Sequence, residues 1–119
     1  MVFKQNSMAI HKFSAARPHG DAVVEMLKAD TELAEIYLAT ALGEASLPGG
    51  QFALLAALRH IAEAQGMAQV AEKAGIPRES LYRALSPKGN PTIKTLLAVI
   101  GAAGLQLGVT RQPSELANA

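Results

Sequence analysis

Apolar residues recur at three- and four-residue steps through most of the chain, the spacing of helices that bury one face. This pattern predicts a mainly all-α fold, a bundle of about five helices. The predicted helical segments are 22–28, 31–42, 52–65, a helix-turn-helix within 67–85, and a last helix from Thr92 to Gly104. We expect Asp21 to cap the first helix, Asp30 or Thr31 the second, and Thr92 the last.

Each long helix has an apolar face that we expect to be buried in a common core. The spacing selects side chains that fall on one side of a helix with 3.6 residues per turn. The expected core residues are Val23, Val24, Leu27, Leu33, Ile36, Tyr37, Ala41, Phe52, Leu55, Leu58, Ile61, Ala62, Ile93, Leu96, Leu97 and Ile100.

The period changes from helical to alternating after Gly104. Leu105, Leu107 and Val109 alternate with polar or small residues, so residues 105–111 predict a short C-terminal strand with one buried face. A lone strand is marginal in water and needs a partner. That partner is the N-terminal segment, a second copy of the chain, or a sheet edge of another protein.

The same pattern divides the chain into three parts. We expect a flexible or extended segment at 1–20, with an extended stretch around 8–13. A single helical domain follows at 21–111, and a disordered tail at 112–119.

The stretch 67–85 carries the most specific pattern. Val70, Ala71 and Ala74 share one face of its first helix, and Leu81 and Leu85 share one face of its second. Gly75 supplies the positive φ of a sharp turn, Ile76 is an apolar plug, and Pro77 fits the first turn of the second helix. These offsets are typical of a DNA-binding helix-turn-helix.

Composition and charge narrow the possible functions. The chain has no cysteine and three scattered histidines, which exclude thiolate chemistry and make a metal site unexpected. The net charge is +1, but residues 1–50 carry six acidic and four basic side chains, and residues 51–119 carry four acidic and seven basic. The basic excess therefore lies with the helix-turn-helix, and its modest size favours DNA binding as a dimer.

No sequence feature predicts an enzyme, a cofactor or a membrane location. There is no acidic pair, Ser-His constellation or glycine-rich phosphate loop at useful spacing, and His60 beside Arg59 is typical of a surface helix residue. No apolar run approaches the length of a membrane span, and the first residues lack the apolar core of a signal peptide. We therefore expect a cytoplasmic protein.

The exposed positions of the second helix of the motif are candidates for DNA contact. Arg78 is the first choice for reading a base, because a guanidinium bonds both acceptors of guanine. Arg83 and Tyr82 fit a base or a phosphate, and the remaining candidates are Glu79, Ser80, Gln69, Lys88 and Lys94. In the alternative, Arg78 and Glu79 are solvated charges at the helix start, with Glu79 and Arg83 paired at four-residue spacing. Tyr82 is then a half-buried residue and Gln69 a plain surface residue. Asn90 is expected to be a turn residue.

Three stretches resemble the HigA-like antitoxins of addiction modules: YLATAL at 37–42, ALRHIAEAQGMAQVAEKAGIPRESLYRALS at 57–86, and GNPTIKTLLAVIGAAGLQLGV at 89–109. The resemblance implies a small dimeric protein with a lambda-repressor-like fold, encoded beside a RelE/ParE-like toxin. Such antitoxins bind and neutralise the toxin and repress their own operon. The chain departs from the family pattern at Pro77, where a Ser or Asn cap is frequent, and at Met67, where a phosphate-binding glutamine is common.

Two other functions remain open from the residues themselves. One is a stand-alone helix-turn-helix repressor without a toxin partner. The other is a protein-binding module that mainly sequesters a toxin, through the acidic helix 31–42 and the strand 105–111. A basic toxin would be drawn to the acidic surface.

Overall fold

A computed structural model describes residues 20–112 of the chain. This part contains six helices, one for each predicted segment when the helix-turn-helix is counted as two helices. They are α1 (Gly20–Ala29), α2 (Thr31–Gly43), α3 (Gly50–Gln65), α4 (Met67–Ala74), α5 (Arg78–Ala84) and α6 (Ile93–Ala102). The predicted extended stretch 8–13 and residues 113–119 of the predicted tail 112–119 lie outside the described residues.

Side-chain caps set the start of two helices as predicted. The Asp30 carboxylate accepts from the Glu32 N–H at 3.0 Å at the start of α2, and Thr92 Oγ1 accepts from the Thr95 N–H at 3.1 Å at the start of α6. The prediction for α1 is wrong. This helix begins at Gly20, so Asp21 lies inside its first turn, where its charge still favours the helix dipole.

Helix α3 is the element shared by two groups of helices. Helices α1 and α2 pack against α3 and against each other, whereas α4 packs against α3, α5 and α6, and α6 also contacts α3. The fully buried Leu58 and Ile61 of α3 join the core cluster together with Val23, Val70, Leu81 and Val99. The mainly helical prediction is therefore confirmed.

The predicted buried faces of α2, α3 and α6 are partly wrong. Ile36, Phe52 and Leu97 are about half exposed, and Ile93 is 75% exposed. Ala34 and Leu38 are buried on α2, and Thr95 and Val99 on α6. The reason is that apolar spacing does not reveal which side of a helix meets its neighbours, so the buried faces are turned from the predicted ones.

The predicted C-terminal strand is absent from the described part of the chain. Residues 105–112 have no regular secondary structure. The Leu105 N–H bonds the Ile100 carbonyl at 3.0 Å, but Leu107 is 40% exposed and Val109 is 98% exposed. Without a neighbouring strand the alternating side chains have no sheet to pack on, so the expected buried face does not form.

Candidate nucleic-acid interface

Helices α4 and α5 form the predicted pair of helices around a tight turn. Gly75 ends α4 at φ 71°, in the left-handed region. The Ile76 N–H donates to the Ala71 carbonyl at 3.1 Å and the Gly75 N–H to the Glu72 carbonyl at 3.1 Å, a hydrogen-bond pattern that closes the helix end. Ala71 is buried, as the close crossing requires. The turn therefore has the geometry that the sequence predicts.

Pro77 occupies the N-cap of α5 rather than its first turn. Its φ of −61° and ψ of 151° are extended, and no side chain caps the helix start. The Leu81 N–H makes the first helical bond, to the Pro77 carbonyl, at 3.1 Å. Buried Leu81 then fixes the rotation of α5 against the core.

This rotation leaves four candidate side chains on the surface. Arg78, Glu79, Tyr82 and Arg83 are all exposed, and the first three line a shallow depression of about 340 Å³. The Arg78 guanidinium carbon lies 5.8 Å from the centre of the Tyr82 ring, within the range of a cation–π contact. Within the described residues Glu79 and Arg83 form no ion pair.

The other candidates are distributed around the two helices. Lys94 of α6 lies over the turn, its ammonium nitrogen 3.0 Å from where a Cβ on Gly75 would stand. Gln69 is exposed at the start of α4, and Lys88 is exposed in the loop after α5. Ser80 is half-buried. The structure thus brings Lys94 to the motif from a distant part of the sequence.

Two residues that support α5 were not among the predicted candidates. Arg59 of α3 donates from Nη1 to the Leu85 carbonyl at 2.9 Å, which anchors the end of α5 across 26 positions of sequence. A Cβ on Gly89 would overlap the main-chain carbonyl of Ala84, so the loop after α5 can approach this closely only with glycine. Sequence spacing gives no signal for the first contact, while glycine in SPKGNP is a weak signal for the second.

His60 is half-buried and hydrogen-bonded, so its prediction as a surface residue is wrong. The hydroxyl of Tyr37 lies 2.7 Å from His60 Nδ1, and the two rings are nearly parallel with centres 6.0 Å apart. Burial and the nearby Arg59 charge lower the pKa of His60, while burial raises the pKa of Tyr37 to about 12. A neutral ring protonated on Nε2 accepts the tyrosine proton in a hydrogen bond. This contact ties α2 to α3.

Burial also raises the pKa of Glu63 on α3. Across residues 20–112, no three His, Asp or Glu side chains are grouped as metal ligands would be. Nor does this part of the chain contain a helix long and apolar enough to cross a membrane.

A profile described as "Probable addiction module antidote protein" matches residues 19–111, most of the chain. The chain belongs to this family. An uncharacterized protein of Haemophilus influenzae is 42% identical to this antidote protein over 87 residues, which cover 73% of this chain and 84% of the relative. No solved structure gives a significant match.

Family membership gives a functional class. An antidote protein of an addiction module is the antitoxin of a toxin–antitoxin system, so a toxin of some kind is its partner. Proteins of this kind are typically regulators without enzymatic activity. The general resemblance to antitoxins is therefore confirmed.

Proposed function

We propose that this antitoxin is HigA-like with a lambda-repressor-like fold, neutralises a RelE/ParE-like toxin by direct binding, and represses its own operon as a cytoplasmic homodimer. The DNA-binding part of this proposal rests on the exposed face of α5, which buried Leu81 and the Arg59–Leu85 bond hold in position. A helix presented in this way fits the major groove, with its first turns toward the base edges.

Each candidate side chain then has a role in the groove. Arg78 reads a guanine, and its contact with Tyr82 limits the number of rotamers that it must lose on binding. Arg83, Lys88 and Lys94 supply charge to the phosphates. Glu79, Ser80 and Gln69 are the remaining proposed contacts.

A dimer fits both the charge and the surface. Residues 67–112 carry six basic and two acidic side chains, which is a small excess for tight binding by one subunit. Ile93 and Leu97 are four residues apart on α6 and both expose much of their apolar side chain. We propose that a second copy buries them in a two-fold symmetric dimer, which has two copies of α5 for one DNA duplex.

The test of the DNA-binding half is a mobility-shift assay with the DNA upstream of its own gene. We expect Arg78→Ala to weaken binding by about 1–3 kcal/mol if the bidentate base contact is lost. The matched control is Arg111→Ala, an exposed arginine outside the helix-turn-helix. Unchanged affinity in a double variant with Arg78→Ala and Arg83→Ala would contradict the groove assignment.

The toxin half is tested by co-expression with the product of the adjacent gene. We expect a small basic protein that is toxic alone and harmless with the antitoxin. If no complex and no rescue are found while the DNA shift persists, the protein is a stand-alone repressor.

A further inference from the structure

A single groove lies between helix α2 and residues 104–110, the two parts of the chain that the sequence indicates as possible toxin-binding surfaces. One wall is α2, and the other is the irregular segment 104–110, with a volume of about 540 Å³ between them. The floor and walls are mainly apolar, formed by Leu38, Ala39, Leu42, Ile100, Leu105 and Leu107. Among the described residues that line this groove, Glu35 is the only charged one.

The main chain along one wall is unpaired. After the Leu105 N–H, which bonds the Ile100 carbonyl, no main-chain group of residues 106–112 has a hydrogen-bond partner within the described residues. Leu107 and Val109 keep the alternation of a strand in this segment. This irregular segment therefore offers free N–H and C=O groups beside an apolar groove, and such groups can pair with an added strand from a partner.

Glu35 lines the groove, and the acidic charge of its helix and of α1 favours a cationic partner. Residues 20–44 carry six acidic side chains and one basic, and Glu32 and Glu35 stand one turn apart on α2. These helices are not those that carry the proposed DNA contacts. A symmetric dimer formed through the groove would bring a second acidic α2 into the same interface, which like charge opposes.

We infer that the groove between α2 and residues 104–110 binds an extended segment of a cationic protein, which adds as a strand to residues 106–110. The partner's apolar side chains enter the groove and its cationic side chains meet Glu32 and Glu35. The inference rests on the proposed antitoxin function, because it assigns this site to the toxin.

The test is a binding titration of the full-length antitoxin with the adjacent-gene product. Ala39→Arg fills the groove from an exposed helical position, so it is compatible with the fold. We expect it to raise the Kd by roughly 30-fold or more, the effect of blocking a central contact. Ala22→Arg makes the same change on an exposed part of α1 and should leave the Kd within about threefold, since it alters only distant charge.

The outcomes separate this inference from the proposed function. If the unchanged antitoxin forms no complex, the toxin partner itself is contradicted. A complex that Ala39→Arg leaves intact overturns the groove alone. Conversion of the antitoxin from dimer to monomer by Ala39→Arg, measured by light scattering without the toxin, would show that a second copy occupies the groove and also overturns it.

Proline substitutions test the strand pairing directly. In an extended segment, N–H groups of alternate residues point to opposite edges, so Gln106→Pro and Val109→Pro remove donors from different edges. We expect one of them to raise the Kd about tenfold or more and the other to have little effect, relative to Gln106→Ala and Val109→Ala. Equal effects on both edges, or none on either, contradict strand addition.

Discussion

The helices on the two ends of the chain differ in charge but share one core helix. Residues 20–44, with α1 and α2, carry six acidic side chains and one basic, whereas residues 67–112, with α4 to α6, carry six basic and two acidic. Both groups pack on α3. The near-neutral total charge is therefore the sum of an acidic and a basic group of helices, which match the charges of the two proposed partners.

The largest expected difference between the two groups of helices is the salt dependence of binding to their proposed partners. If a dimer uses Arg83, Lys88 and Lys94 from each subunit on phosphates, its affinity for DNA should fall by about 10³-fold between 50 and 200 mM salt. Toxin binding in an apolar groove should fall much less. Parallel titrations of both partners measure the two slopes, and equal slopes would remove the distinction.

Gly89→Ala should destabilise the basic group of helices through the loop after α5. The added methyl group overlaps the Ala84 carbonyl, so the backbone must shift, at a cost of about 1–3 kcal/mol. Gly101→Ala is the matched control on α6, where nothing lies within 4 Å of the new Cβ. It should stabilise the helix by about 0.5–1 kcal/mol. Urea unfolding measures both, and equal effects would refute the overlap.

Arg59→Met should loosen the end of α5 while leaving α1 and α2 in place. It removes the bond from Nη1 to the Leu85 carbonyl but keeps an unbranched side chain. We expect a loss of about 1 kcal/mol, reduced by the partial exposure of the arginine. Amide hydrogen exchange should accelerate in α5 more than in α1. Uniform acceleration across the helices would instead indicate a general loss of stability.

The smallest expected effect is a loss of stability on acidification, through the Tyr37–His60 contact between α2 and α3. The pKa of His60 is lowered in the folded protein, so the unfolded chain binds the proton more readily. Stability is therefore complete above the usual His pKa of 6.5 and falls as the pH drops below it. The raised pKa of Glu63 has the opposite effect on stability as the pH falls. The measurement is therefore the Tm of the unchanged protein and of His60→Gln, each from pH 7.5 to 5.5, and the Tm of the variant should fall less. Identical profiles would contradict the role of His60.

The sequence was sufficient for most helices and insufficient for their contacts. Local chemistry is enough to predict the caps and the turn, because the groups involved lie within a few residues of each other. This holds for the caps made by Asp30 and Thr92 and for the turn at Gly75. Apolar spacing predicts Ile93 and Leu97 to be buried, but both are exposed, because spacing does not reveal which helix lies opposite. The Tyr37–His60 and Arg59–Leu85 bonds join residues that are 23 and 26 positions apart, so local spacing does not predict them. In the same way, the alternation in residues 105–111 does not show whether a strand lies beside them.

The Arg59–Leu85 bond limits how the helix-turn-helix could be exchanged between proteins. A chimera that receives only residues 67–85 from this chain would lack the guanidinium that holds the end of α5. It would also lack Gly89, which lets the following loop close over Ala84. The unit that positions α5 therefore extends from α3 through the loop after α5. If α5 reads DNA as we propose, swaps designed on the motif alone should lose affinity for the operator.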